Sequence, residues 1–166
     1  MQLRKLLEKW DLNSLKITLP FLAMEWVPRD EDRAAAWELY VEMITRVTTA
    51  SLTPGTGQEA AALASVHQLF PLTRGILKQQ GRYCINFAKI AVPVLNQAVR
   101  PFTSKWHGRV GGAALSEEET REFRTELARL QTILLNYTRL LADLAGVEDL
   151  TALEAQGSID SAAPAE

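Results

Sequence analysis

The sequence predicts an all-α protein, an antiparallel bundle of four to five helices. Three observations carry that reading. Apolar residues recur at three- and four-residue steps over most of the chain. Two pairs, Thr56 with Glu59 and Ser116 with Glu119, have the spacing of reciprocal capping boxes that open helices. Only Leu15, Ile17 and Leu19 alternate like a strand, and one strand has no partner with which to build a sheet. Short links between the helices favour antiparallel neighbours.

With 166 residues, 47% apolar and 23% charged, the chain suits one domain with its own core. We read residues 1–153 as that domain and 154–166 as a disordered tail, because AQGSIDSAAPAE lacks bulky apolar residues. The 18 basic and 20 acidic side chains nearly cancel. That balance excludes a global basic field for gripping nucleic acid or anionic lipid and leaves only local patches. Cys84 is the single cysteine, so no intramolecular disulfide can form and no multi-cysteine metal site can be built. Its expected role is that of a small buried hydrophobe in a reducing compartment. The opening MQLRKLLEKW lacks the apolar run of a signal peptide, and no stretch approaches the roughly 20 apolar residues that span a bilayer. A soluble cytoplasmic protein without a membrane partner is expected.

Residues 1–12 read as a short amphipathic helix through Leu3, Leu6, Leu7 and Trp10. Residues 13–28, interrupted by Pro20 and closed by Pro28, read as an extended arm packed on the helices. Asp30 is the expected N-cap of a helix of roughly five turns. Its apolar stripe reads as Trp37, Tyr40, Val41, Ile44 and Val47. TTASLTPGTG then forms a loop, and Thr56 caps the next helix, which Pro71 should kink before it ends near Gly81. The segment from Arg82 to Val99 is so apolar that it is expected in the middle of the bundle, kinked or divided at Pro93 and Pro101. A flexible GRVGGAALS link leads to the last helix. There Phe123, Leu127, Leu130, Leu134, Tyr137, Leu141 and Leu144 form a sustained stripe, widened by Ile133 and Leu140 and closed by Gly146.

No phosphate loop with its lysine, no G-x-G-x-x-G and no G-x-S-x-G occurs in the chain. The two histidines, His67 and His107, lack a glutamate three residues earlier, so a di-metal helical site is not expected. The sequence implies no cofactor and no metal. The chemically loaded segment is VLNQAVRPFTSKWHGR, residues 94–109. If it is helical, Asn96, Arg100, Thr103 and His107 share one face. Lys105, Trp106 and Arg109 lie close by. Together these seven residues could meet an anion, a phosphate backbone or a partner's acidic side chain. The plainer reading makes the stripe a solvated helix edge, with Trp106 in the core and His107 favoured near the helix end by the dipole. His67 reads as a packing residue. Trp10, Trp26 and Trp37 read as core rather than as a ligand pocket.

Arg100 and His107, separated by six residues in a small helical bundle, resemble the R-x(4–6)-H signature of the HEPN superfamily. Many members of that superfamily are metal-independent ribonucleases of toxin and antiviral systems, usually homodimers. The resemblance implies that Arg100 stabilises phosphoryl charge and that His107 acts as general acid or base on RNA. Pro101 stands where that family carries a polar residue, and a proline there predicts a break between the two groups. A second resemblance joins R-P-F-T-S-K-W-H with AAWELYVEMITRVTT. It is to helical proteins of bacteria, some found in phage-defence settings. The leading expectation is a non-enzymatic interaction or accessory protein that binds a protein partner or a second copy, and the second resemblance implies a bacterial antiviral defence system as its setting. The alternative is a HEPN-like ribonuclease using Arg100 and His107. A small-ligand sensor would instead need a pocket beside the proline-kinked helix.

Overall fold

The computed structural model describes residues 27–45, 58–110 and 115–152, together with Lys9. The expected N-terminal helix and arm, the loop before the second helix, residues 111–114 of the GRVGGAALS link and the C-terminal tail lie outside the described residues, while Gly108, Arg109 and Val110 of that link are helical. The remainder is an all-α helical bundle. Its α-helices are α1 (Asp30–Ile44), α2 (Glu59–His67), α3 (Leu69–Gln80), α4 (Ile85–Pro93), α5 (Arg100–Val110) and α6 (Glu117–Ala145). They form four helical rods among the described residues. The helices α2 and α3 adjoin at Gln68, and a π-helical turn, Val94–Val99, joins α4 to α5.

The spine is α6, whose 29 residues run about 43 Å at 1.5 Å per residue. Its start is the expected capping box. Glu119 N–H donates to Ser116 Oγ at 3.2 Å, and Ser116 N–H donates to Glu119 Oε2 at 3.0 Å. That second bond holds the Glu119 carboxyl below the usual carboxylate range. The helix closes on Gly146 with φ +74°, a left-handed conformation that glycine adopts without Cβ strain. All seven members of the expected apolar stripe are buried, and Leu140 is buried with them. Ile133 is only half-buried.

Against α6 lies α1, and here the expected register needs correction. Trp37 is 46% exposed, whereas Ala35, Ala36, Leu39, Tyr40 and Met43 form the buried face. The two alanines let the backbones approach closely, so small residues outrank the bulky indole for the inner face. The expected N-cap also moves. Arg29 occupies that position, and Asp32 accepts a hydrogen bond from Arg29 N–H at 2.9 Å. Asp32 further accepts from Phe87 N–H at 2.9 Å and from Asn86 Nδ2 at 3.0 Å. One buried carboxylate thus satisfies orphan donors at the starts of both α1 and α4.

The expected cap Thr56 lies outside the described residues; Gln58 precedes α2 without a side-chain cap bond, and Glu59 is held by Arg124 of α6, Nη2 to Oε1 at 2.7 Å. Pro71 interrupts the next rod as expected. It has no N–H to give to His67 C=O, so α2 ends at His67 and α3 begins at Leu69. Gly81, with φ +67°, ends α3. Cys84 is buried, and burial pushes its thiol above the usual range.

The apolar segment after it is not surrounded, contrary to expectation. Phe87, Ile90, Ala91 and Val94 face the core, while Tyr83, Ile85 and Val92 are 46%, 50% and 41% exposed. This helix buries one face, the i, i+3, i+4, i+7 stripe of an amphipathic helix, despite apolar residues on both. Between Pro93 and Pro101 the chain widens instead of breaking, with Arg100 N–H reaching back to Leu95 C=O. An i→i−5 bond of this kind keeps the rod continuous between two residues that have no N–H to give.

Candidate functional site

The π turn delivers Arg100 to the start of α5, and from there Thr103, Ser104, His107 and Gly108 follow at helical spacing. This stripe forms one wall of an open cleft of about 610 Å³. The opposite wall is the α2–α3 junction, which contributes His67, Phe70, Pro71 and Arg74. Pro71 shapes that wall by ending α2 four residues before it, so His67 stands in the last turn of α2.

The two walls meet ring to ring. The imidazoles of His67 and His107 lie 6.2 Å apart between centroids at an interplanar angle of 28°. His67 also contacts Phe70 at 5.8 Å. The Arg100 guanidinium sits 5.0 Å over the Phe70 ring, a cation–π arrangement. Asn96 orients that guanidinium, its Oδ1 accepting from Arg100 Nε at 3.0 Å and Nη2 at 2.9 Å. Two of the five guanidinium N–H groups are thereby used, and the rest remain for a ligand. Among the described residues, the side chains of His67, Arg74 and His107 make no hydrogen bond or ion pair. Both histidines of the chain and two arginines therefore line a cleft to which the described residues contribute no carboxylate, in a protein whose net charge is −2.

Of the seven residues expected to bind, the structure brings four together. Arg100, Thr103 and His107 line the cleft, and Asn96 orients Arg100. Thr103 is buried and returns its hydroxyl to Val99 C=O and Arg100 C=O, both at 3.2 Å. Lys105, Trp106 and Arg109 turn away. Trp106 is fully buried in the core, its ring edge on Phe123 at 5.2 Å and its Nε1 donating to Glu126 Oε2 at 2.9 Å. Lys105 pairs with Glu122 at 2.6 Å and with Glu126, and these hydrogen bonds raise its ammonium above the usual range. Arg109 lies 5.6 Å over the Trp106 ring. Lys105 and Trp106 tie α5 to α6, and none of the three lines the cleft.

Sequence reasoning missed His67, Phe70, Arg74 and Ser104. A signal existed in the spacing. His67 precedes Arg74 by seven residues, and Arg100 precedes His107 by seven, so each segment is a two-turn stripe with one histidine and one arginine. The order is reversed between them, which suits segments that run in opposite directions. The contacts of His67 with His107 and of Phe70 with Arg100 have that sense.

A second cleft, of about 570 Å³, opens on the other side of α3. There Trp37 is joined by Glu38, Glu42 and the apolar Val41, Leu72 and Ile76. Glu38 is engaged by Gln80 Nε2. No cluster of three or more histidine, cysteine or carboxylate side chains stands ready for a metal among the described residues. No helix among them is long and apolar enough to cross a membrane.

Fold and cleft together define a class: an all-α bundle with a cationic, ring-lined cleft between two antiparallel helical segments. Comparison with protein-family models, with curated proteins and with solved structures finds no match to the chain.

Proposed function

We propose that this protein works by binding, and that the cleft between α5 and the α2–α3 junction receives an anionic group, foremost a phosphate. The observation that carries the reading is the convergence of Arg74, Arg100, His67 and His107 without a lining carboxylate. Cationic donors on opposing walls, one of them a guanidinium pre-oriented by Asn96, supply charge-assisted hydrogen bonds to phosphate oxygens. In this reading the protein is a non-enzymatic accessory factor that docks to a partner through that group. The resemblance of the Arg100–His107 segment to bacterial helical proteins of phage-defence settings is the support for an antiviral role. Titration with inorganic phosphate, in low and in physiological salt, tests the binding. Arg74→Ala and Arg100→Ala should each weaken it about tenfold or more, the worth of a charge-assisted bond. A wild-type protein that takes up no phosphate at low salt would sink the proposal.

A second reading, the HEPN-like ribonuclease, gains from one specific observation. The rod runs unbroken through Pro101, so Arg100 and His107 share the cleft that a break would have denied them. Arg100 would stabilise phosphoryl charge and His107 would transfer a proton at the scissile phosphate. Incubation of RNA with the wild type, Arg100→Ala and His107→Ala in the presence of a chelator separates the readings. Cleavage by the wild type that both variants lose makes the protein an enzyme. Intact RNA in all three leaves the binding module. In this second reading a homodimer is expected, so a strict monomer by light scattering counts against it.

A further inference from the structure

We infer that the anionic ligand of the cleft is a nucleotide unit, its base stacked on the ring ledge and its phosphate on the arginines; this rests on the phosphate-binding reading of the same cleft. Phosphate chemistry alone asks for Arg74 and Arg100 and nothing else. The cleft offers more. His67, Phe70 and His107 form a contiguous row of rings, with neighbouring centroids 5.8 and 6.2 Å apart. Arg100, laid over Phe70 at 5.0 Å, extends that row with a planar guanidinium. Flat faces of this kind stack on nucleobases, and arginine planes do so as readily as aromatic rings.

Exposure supports the assignment. Both histidines are solvent-exposed, although a ring serving only the core would be covered. Neither imidazole spends a nitrogen on the protein among the described residues, so each keeps a donor or acceptor for a base edge or a ribose hydroxyl. Ser104, exposed on the same wall, adds a hydroxyl. A carboxylate or phosphoserine on a partner would satisfy the arginines and leave the ring row idle. A nucleotide uses both, and about 610 Å³ is within the usual size of small-molecule sites.

The source of the nucleotide unit is either a free nucleotide or a single strand, since the cleft is open. Titration calorimetry with AMP, inorganic phosphate, and oligouridylates of increasing length tests the inference and separates the sources. AMP should bind about 5- to 150-fold more tightly than inorganic phosphate, the range of one base–ring stack. His67→Ala and Phe70→Leu should erase that advantage while phosphate binding persists. Phe70→Leu keeps apolar bulk against the core, and His67 is exposed, so both variants should retain the wild-type melting temperature. Affinity that climbs with oligonucleotide length identifies a strand, and affinity that stays at the AMP value identifies a free nucleotide; either supports the inference. Equal binding of AMP and phosphate overturns it and leaves the phosphate site standing. Absence of binding by either overturns both. A full AMP advantage in His67→Ala and Phe70→Leu overturns the ring ledge.

Discussion

Asp32 and Tyr137 are both buried, and their opposite circumstances lead to opposite expectations. The Asp32 carboxylate accepts two backbone N–H groups and one side-chain amide. Asp32→Ala should cost about 2–3 kcal/mol, because it removes a cap from two helices and leaves the buried Phe87 donor unsatisfied. Urea unfolding will measure it, and a change below the precision of that experiment would refute the double cap. The Tyr137 hydroxyl has no hydrogen-bond partner among the described residues, and burial pushes the phenol well above its usual range. Tyr137→Phe should therefore leave stability unchanged or raise it by up to about 1 kcal/mol. A clear loss would reveal a partner for that hydroxyl. Glu126 adds a pH dependence. Burial alone would raise its carboxyl, but hydrogen bonds from Lys105 and Trp106 hold it below the ordinary value of 4.5. A depressed carboxylate contributes stability above its unfolded value and loses it as the pH falls through the folded one. The melting temperature should consequently drop below about pH 4.5, and Glu126→Gln should flatten part of that limb.

At the scale of elements, the last helix was the most legible part of the chain. Its capping box, glycine stop and heptad stripe are local features, set by residues within one or two turns of each other. Leu134 lies fully buried in the middle of that stripe. Leu134→Ala should destabilise the bundle by about 2–5 kcal/mol, read from thermal or urea melts. An unaltered melt would mean that the packed face is misassigned. Helix α1 was less legible because sequence favours bulk over fit: Trp37 looks like core, yet Ala35 and Ala36 hold the inner face. The rod through Pro93 and Pro101 was half legible. The prolines announced an interruption, but only the folded chain shows a π turn that preserves continuity.

Across the whole molecule, the near balance of charge conceals an uneven distribution. Carboxylates of α6 and α2 are engaged by Lys105 and Arg124, whereas Arg74 and Arg100 face the cleft with no acid beside them among the described residues. Phosphate binding should weaken as salt rises, since an open cleft is screened over the Debye length of about 8 Å at physiological ionic strength. Salt-independent uptake would point to a ligand held by something other than these cations. The candidate site was about half legible for the same reason. Arg100, Thr103 and His107 announced themselves as a stripe on one helix, and Asn96 stood in line with them. Lys105, Trp106 and Arg109 are neighbours in sequence but point to α6, because successive helical residues turn by about 100°.

The sequence by itself determined the fold class, the ends of the last helix, its buried face and the interruption that Pro71 imposes on the second rod. All of these follow from periodicity, capping and proline geometry, which act over a few residues. Tertiary structure alone decided which face of α1 is inside, which side of α4 stays exposed, and that His67 and Arg74 stand opposite His107 and Arg100. Those outcomes depend on how closely two helices approach and at what register. That is a property of paired surfaces, and no single helix carries it in its own sequence.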